Sequence, residues 1–239
     1  MEFSSAAFRR RQMDRDGSFA DRFKEPHVFT TSSGVRLELN QTPPSIVVSA
    51  DAPPGAAVDE LGTGTTVWRA AVSLARLLTS SFSHLVEGKR VLELGSGTGL
   101  AGLAAGAAGA SSLLLTDLPP VLPLLRSNVS RNSFIQTTTP VVVSSFEWGL
   151  NVAPSGVDVI LAADCCYHAS HPVPLSRTVV ASMVRGDEPA ERAILSCEKH
   201  DPIAHAALKR LLAEQPALAV TTLWESGDGR IEVIGVSRR

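Results

Sequence analysis

The sequence predicts an α/β fold: a mostly parallel sheet with helices on both faces, an antiparallel last strand, and a β-hairpin and helix extension in front. Three observations predict it. From Lys89 onward, short leucine- and valine-rich runs alternate with longer segments of helical spacing, the pattern of successive β-α-β units. The last two runs, ALAVTTLWES and RIEVIGVSR, are joined by a Gly-Asp-Gly connection that is too tight for a crossover helix and suits a hairpin. With 239 residues, 44% apolar and 19% charged, the chain can bury one sizeable core, which excludes disordered and collagen-like classes.

Each element follows from its own residues. Residues 1–25 mix Arg, Asp, Ser and Phe without a period and are expected to be a disordered lead-in; Arg9, Arg10 and Arg11 lie too close to acidic residues for a transit peptide. HVFTTSSGVRLELN, residues 27–40, alternates around a Ser-Ser-Gly turn and predicts a hairpin, and residues 42–57 form a Pro-rich connector. Residues 26–64 are thus an accessory layer of one domain whose core spans 65–239. Val67, Trp68, Ala71, Val72, Leu74, Ala75 and Leu78 recur at helical spacing, predicting an amphipathic helix over 65–79 with Trp68 in its first turn. Then come KRVLEL and a helix from Leu100; SSLLLTD and a helix over 120–131; PVVVSSF; VDVILAAD and a helix over 173–185; RAILSC and a helix over 201–214.

Charge and cysteine usage narrow the function classes. The net charge of −2 and a pI near 6.3 supply no bulk attraction for nucleic acid or an anionic membrane surface. Leu100 to Leu115, the longest apolar-looking stretch, is rich in Ala, Gly and Ser and falls short of the ~20 apolar residues a membrane span needs. Three cysteines, two of them the neighbours Cys165 and Cys166, make no closed disulfide set. A monomer in a reducing compartment, cytoplasmic and also nuclear, is expected.

Glycines fall where the first core strand turns into a helix, the place where a ligand can meet backbone N–H groups. Gly97, Gly99 and Gly102 spell GxGxxG, a dinucleotide fingerprint, and Asp117 follows 18 residues after Gly99 to meet ribose hydroxyls. The fuller pattern E-x-G-x-G-x-G, Glu93 to Gly99 with Ser96 inside it, sets a carboxylate before the loop. That carboxylate suits an ammonium and not a pyrophosphate, and S-adenosylmethionine carries such an ammonium. Asp117 has a bland alternative as a helix N-cap before Pro119 and Pro120. Phe146, Glu147 and Trp148 follow the third core strand, beside the position expected for an adenine.

After VDVILAAD, Asp164 and Tyr167, the only tyrosine, project at the carboxyl edge where open α/β sheets bind ligands. A methyl acceptor must present a lone pair in line with the donor, so the work is positioning; an acid and a phenol suit an amine. Asp164 is assigned orientation first and proton removal second, and Tyr167 a channel wall through cation–π contact or a hydrogen bond; ordinary edge packing is the alternative for Tyr167. Cys165, Cys166, His168 and His171 have no paired C-x-x-C spacing, so no metal is expected. Glu198, with Cys197 and His200, ends the fifth core strand on the same edge, either near the acceptor or as a solvated strand end.

VLELGSGTGL, TDLPPVLPLLRSNVSRN, the Trp148-Gly149 pair and AADCCY, in that order, resemble the family 16 seven-strand methyltransferases, marked by a D-x-x-Y motif. Within it the chain is similar to the protein-lysine group of the methyltransferase-like 21 and valosin-containing-protein lysine methyltransferase type, from about residue 27 to the end. The resemblance implies a Rossmann-like seven-stranded sheet, S-adenosyl-L-methionine as cofactor, and methyl transfer to lysines of folded partners such as chaperones, AAA ATPases or translation factors. It also implies roles: Trp68 at the methionine end of the cofactor, Gly95, Ser96 and Gly97 as the glycine loop, Asp117 on the ribose, Trp148 and Ala163 as further cofactor contacts, and Asp164 with Tyr167 as the D-x-x-Y pair. CEKH at 197–200 is similar to a family segment that usually reads Y-E-x-R, and Cys197 and His200 depart from it on the substrate edge. Protein arginine, or a small-molecule or nucleobase amine, therefore stays open as acceptor beside lysine. A nucleobase acceptor, however, finds neither the two prolines within its motif nor a basic face. An NAD(P)-dependent oxidoreductase is disfavoured because His171, not Lys, stands four residues after Tyr167; a non-catalytic cofactor-binding protein is the remaining alternative.

Overall fold

The strand β3 (Arg90–Leu94) is buried on both sides from Val91 onward, as a strand inside a sheet covered on both faces must be. Val91 and Glu93 face one layer of helices, while Leu92 and Leu94 join the apolar cluster on the other. In the computed structural model, which describes residues 23–43, 63–152, 154–184 and 188–239, β3 pairs in parallel with β4 (Ser112–Asp117) and with β6 (Val159–Ala163). Beyond β4 lies β5 (Val141–Ser145), and beyond β6 lies β7 (Arg192–Glu198), both parallel. The chain therefore turns outward from β3 in both directions, and ligand crevices of open sheets form at such a reversal.

The other end of the sheet is built by a hairpin of β8 (Leu218–Glu225) and β9 (Ile231–Arg238), giving the order β5-β4-β3-β6-β7-β9-β8. β9 runs against every other strand of this sheet, as expected, but it is inserted between β7 and β8, which turn chemistry alone does not dictate. One face carries α1 (Arg69–Leu78), α2 (Leu100–Ala107) and α3 (Leu122–Arg131); the other carries α4 (Pro172–Val184) and α5 (Pro202–Ala213). α2 is buried at seven of its eight residues, and its small side chains let it pack closely on the sheet and against α1, which lies beside it over β6, β7 and β9.

The accessory layer is a two-stranded hairpin, β1 (His27–Thr30) and β2 (Arg36–Leu39). Leu37 and Leu39 are fully buried, and two buried asparagines, one on α3 and one at its C-cap, hold this segment by its backbone. Asn132 Oδ1 accepts from Glu38 N–H at 3.0 Å while its Nδ2 donates to Glu38 O at 2.8 Å; Asn128 Oδ1 accepts from Asn40 N–H at 2.8 Å and its Nδ2 donates to Asn40 O at 3.1 Å. Each amide replaces the missing neighbour strand of an edge. The expected helix over 65–79 starts later, at Arg69: Thr63–Thr65 form a 3₁₀ turn and Trp68 is the N-cap, not a first-turn residue. The expected lead-in, 23–25 apart, and the connector beyond residue 43 lie outside the described residues.

Candidate active site

The chain leaves β3 at Leu94 and reaches α2 at Leu100 through a turn with Gly95, Gly97 and Gly99 all at positive φ. Sterics demand glycine at the first two. A Cβ on Gly95 would sit 2.8 Å from both the Trp148 ring and the Cys165 sulfur, and one on Gly97 2.8 Å from the carbonyl oxygen of Gly64. The bare backbone thereby faces a cavity of about 250 Å³ instead of being covered by side chains. All ten residues expected at the site line this one cavity: Trp68, Glu93, Gly95, Ser96, Gly97, Asp117, Trp148, Ala163, Asp164 and Tyr167.

Two carboxylates shape the loop end. Asp117, at the tip of β4, accepts from Gly97 N–H through Oδ2 and from Leu118 N–H through Oδ1, both at 2.7 Å. α3 begins at Leu122 with Val121 as its N-cap, so capping does not explain Asp117. Desolvation pushes its pKa up to about 6 against the pull of these two N–H groups. Glu93 is buried behind the loop, with Oε2 accepting from Gly102 N–H at 3.1 Å. Its burial outweighs the hydrogen bonds that favour the anion and raises its pKa to about 8, so it is largely a neutral acid at pH 7.

At the other end, Asp164 follows β6 in the left-handed region, φ 58°, a conformation Asp tolerates better than most side chains. Its N–H donates to Ser196 O at 2.7 Å, which continues the β6–β7 ladder and turns the carboxylate toward both the cavity and the end of β7. Asp164 Oδ1 accepts from Glu198 N–H at 3.1 Å, and Oδ2 lies 3.2 Å from His200 Nε2. The Tyr167 hydroxyl is hydrogen-bonded to Thr63 Oγ1 at 2.7 Å, and its ring meets His171 edge-on at 4.4 Å between centroids. The Trp68 indole N–H donates to Thr63 O at 2.8 Å, so the 3₁₀ turn is held from both sides over the cavity mouth. Cys165 and Cys166 diverge, one thiol to Leu94 O and the other to Ala204 O, as their place at a strand end predicts.

Several wall residues carry no sequence signal. Thr63 and Gly64 line the cavity because the 3₁₀ turn folds onto the glycine loop, and Pro174 because Gly149, at φ 75°, lets the strand-end loop close against α4. Arg69 reaches Glu198 Oε1 at 3.1 Å, a pairing across 129 residues that no local pattern announces.

A reversed β9 inserted beside β7, a glycine turn after the central strand and a carboxylate at the tip of the next one define a methyltransferase-type Rossmann-like protein. Residues 57–211 match the model of the lysine methyltransferase family, and the chain belongs to that family. Among curated proteins it is similar to the protein N-lysine methyltransferase METTL21A of Danio rerio, 42% identical over 110 residues, which are 45% of this chain and 50% of that one. It is also similar to the EEF1A lysine methyltransferase 3 of Xenopus tropicalis, 35% identical over 116 residues, 47% and 50% of the two chains. The matched part spans about half the length of these relatives. Among solved structures, the fold is shared with magnesium protoporphyrin IX methyltransferase from Synechocystis PCC 6803 with bound SAH, at TM-score 0.53, 12% identity, and 82% and 92% coverage.

Proposed function

We propose that this protein transfers a methyl group from S-adenosylmethionine to the ε-amine of a lysine in a folded protein substrate, of the chaperone, AAA ATPase or translation factor type. The observation that carries the reading is the single cavity shared by the Glu93–Gly97 loop and Asp117 at one end and Asp164 with Tyr167 at the other. Its residues fit such a cofactor. The glycine turn exposes backbone where a Cβ would collide, Asp117 presents a half-buried carboxylate for a vicinal diol, and Phe146 and Trp148 supply an aromatic wall for a base. Trp68 and Glu93 line the cavity where they would hold the amino-acid portion, and Glu93 would ionise there if an ammonium compensated its burial.

When bound, S-adenosylmethionine supplies an electrophilic methyl on a positively charged sulfur. The chain's own residues do the positioning. Asp164 carries two hydrogen-bond partners already, the Glu198 N–H and His200, so it is fixed in place to orient an acceptor amine. With a reference pKa near 10.4, only about one lysine in a few thousand is neutral at pH 7, so losing that proton is the chemical obstacle. A desolvating channel walled by Tyr167 and Trp68 lowers it by penalising the ammonium. Calorimetry with S-adenosylmethionine tests the reading: wild type and Asp164→Asn bind it alike, Asp117→Asn loses at least about tenfold in affinity, and only wild type labels lysate proteins with radioactive methyl. No binding by the wild type, or equal loss in both variants, overturns it.

A further inference from the structure

Behind the acceptor end lies a cluster of charge that methyl transfer leaves unassigned. β7 ends at Glu198, and the turn after it brings His200 Nε2 to 3.2 Å from Asp164 Oδ2 and 3.6 Å from Glu198 Oε2. The second oxygen of each carboxylate is engaged elsewhere: Asp164 Oδ1 by the Glu198 N–H, Glu198 Oε1 by the Arg69 guanidinium. The side chains of His200, Asp164 and Glu198 are 9%, 3% and 5% exposed, and the Trp68 ring meets the imidazole edge-on at 6.2 Å. One imidazole nitrogen is thus placed between two buried carboxylates, where a proton on it is hydrogen-bonded to Asp164 Oδ2 and attracted by the Glu198 carboxylate as well.

The surrounding charges set the balance. From α1 comes Arg69, which also reaches Asp228 of the β8–β9 turn at 3.5 Å, and Arg230 of that turn acts on Glu198 from further off. Lys199 is turned away to Glu225 at 2.6 Å, and Asp201 is spent on the N–H groups of Ile203 and Ala204 at the start of α5. With His200 protonated, it and Arg69 balance Asp164 and Glu198; with His200 neutral, one negative charge is left over. Of these side chains only Asp164 lines the cavity, so a cation entering there meets a carboxylate that the His200 proton behind it can offset.

We infer that His200 is a positioning residue whose proton competes with the acceptor ammonium for Asp164, so that binding the acceptor releases one proton from His200 Nε2 to solvent. The inference rests on the methyl-transfer reading, which brings an ammonium to Asp164. Burial of the ring works against its charge, but the hydrogen bond to Asp164 and the two carboxylates outweigh burial and lift its pKa above 6.5. With His200 protonated the cluster is neutral and holds an ammonium weakly; with His200 neutral the cluster is anionic and holds one tightly. Linkage makes the effect reciprocal: an ammonium at Asp164 weakens proton binding by His200 by the same factor.

The test uses the full chain saturated with S-adenosylhomocysteine, histidine-ring NMR titrations, and n-butylammonium chloride as the side-chain probe against equal sodium chloride. The wild-type His200 proton affinity falls about tenfold with the probe, and the probe binds about tenfold tighter near pH 8.5 than near pH 6. In D164N the His200 pKa is already lower and no longer responds, and in H200N probe binding loses its pH dependence. A wild-type His200 titration that the probe does not move overturns the inference, as does an unchanged pH dependence in H200N. Failure of S-adenosylhomocysteine to bind overturns the methyl-transfer reading instead, since His200 lies outside the cofactor cavity.

Discussion

Glu93→Gln stabilises the ligand-free protein at alkaline pH while weakening its cofactor binding. The wild-type carboxyl is buried behind the glycine loop and its pKa rises from 4.5 to about 8 on folding. The sign follows from proton counts. Below the unfolded value both states hold the proton and burial costs nothing. Between the two values only the unfolded state releases it, so stability falls as pH rises, at ~1.4 kcal/mol per pH unit. Above about pH 8 the full penalty is present, up to about 5 kcal/mol. Glutamine keeps an oxygen for the Gly102 N–H and has no charge to bury. The melting temperatures of variant and wild type therefore coincide near pH 4.5 and separate by ~10–20 °C near pH 9, at ~2–4 °C per kcal/mol for a chain of this size. Scanning calorimetry across that range reads the gap directly. Asp117, whose pKa also rises, is present in both proteins and drops out of the difference except for its repulsion of an ionised Glu93, the smallest of the causes that raise that group. A gap that does not change with pH would refute the placement of a buried acid at Glu93.

Other outcomes follow from the same geometry. Gly95→Ala and Gly97→Ala each combine a left-handed backbone with a 2.8 Å collision and cost about 1–3 kcal/mol in urea unfolding, whereas Gly227→Ala, with nothing near its Cβ, stays within ~0.5 kcal/mol. Asn128→Ala removes the clamp on Asn40 and a 2.9 Å bond to Thr98 O, costing ~1–3 kcal/mol and speeding amide exchange in β2 ahead of the sheet. Tyr167→Phe loses the Thr63 hydroxyl partner, lowers methyl labelling of lysate proteins, and changes stability by only ~1 kcal/mol in calorimetry.

Most of the architecture was legible because each element carries its own period. Leu92 and Leu94 against Val91 already state two buried faces, and the Gly-Asp-Gly connection already states a reversal. Insertion of β9 between β7 and β8 is a choice between two edges that both satisfy a hairpin, and the sequence carries no local mark for it. The cavity wall was legible where chemistry concentrates at strand ends, as at Asp117 and Asp164. It was not legible where a backbone closes it: the meeting of Gly64 with Gly97 depends on a 3₁₀ turn that shifted Trp68 from the helix's first turn to its N-cap. His200 stood out in the sequence as a departure at the substrate edge, but its contact with Asp164 needs the β6–β7 ladder to place the two strand ends side by side.

The insertion of β9 has a consequence for the order in which the chain can be assembled. β8 touches the sheet only through β9, yet leaves the ribosome before it, so nascent β8 has no ladder to join. Until β9 arrives, β7 presents an open edge and the turn carrying His200 has no Arg230 backbone to receive the Lys199 N–H. The acceptor side of the cavity is thus finished after the cofactor side, and a chaperone holding the emerging chain would guard that late edge.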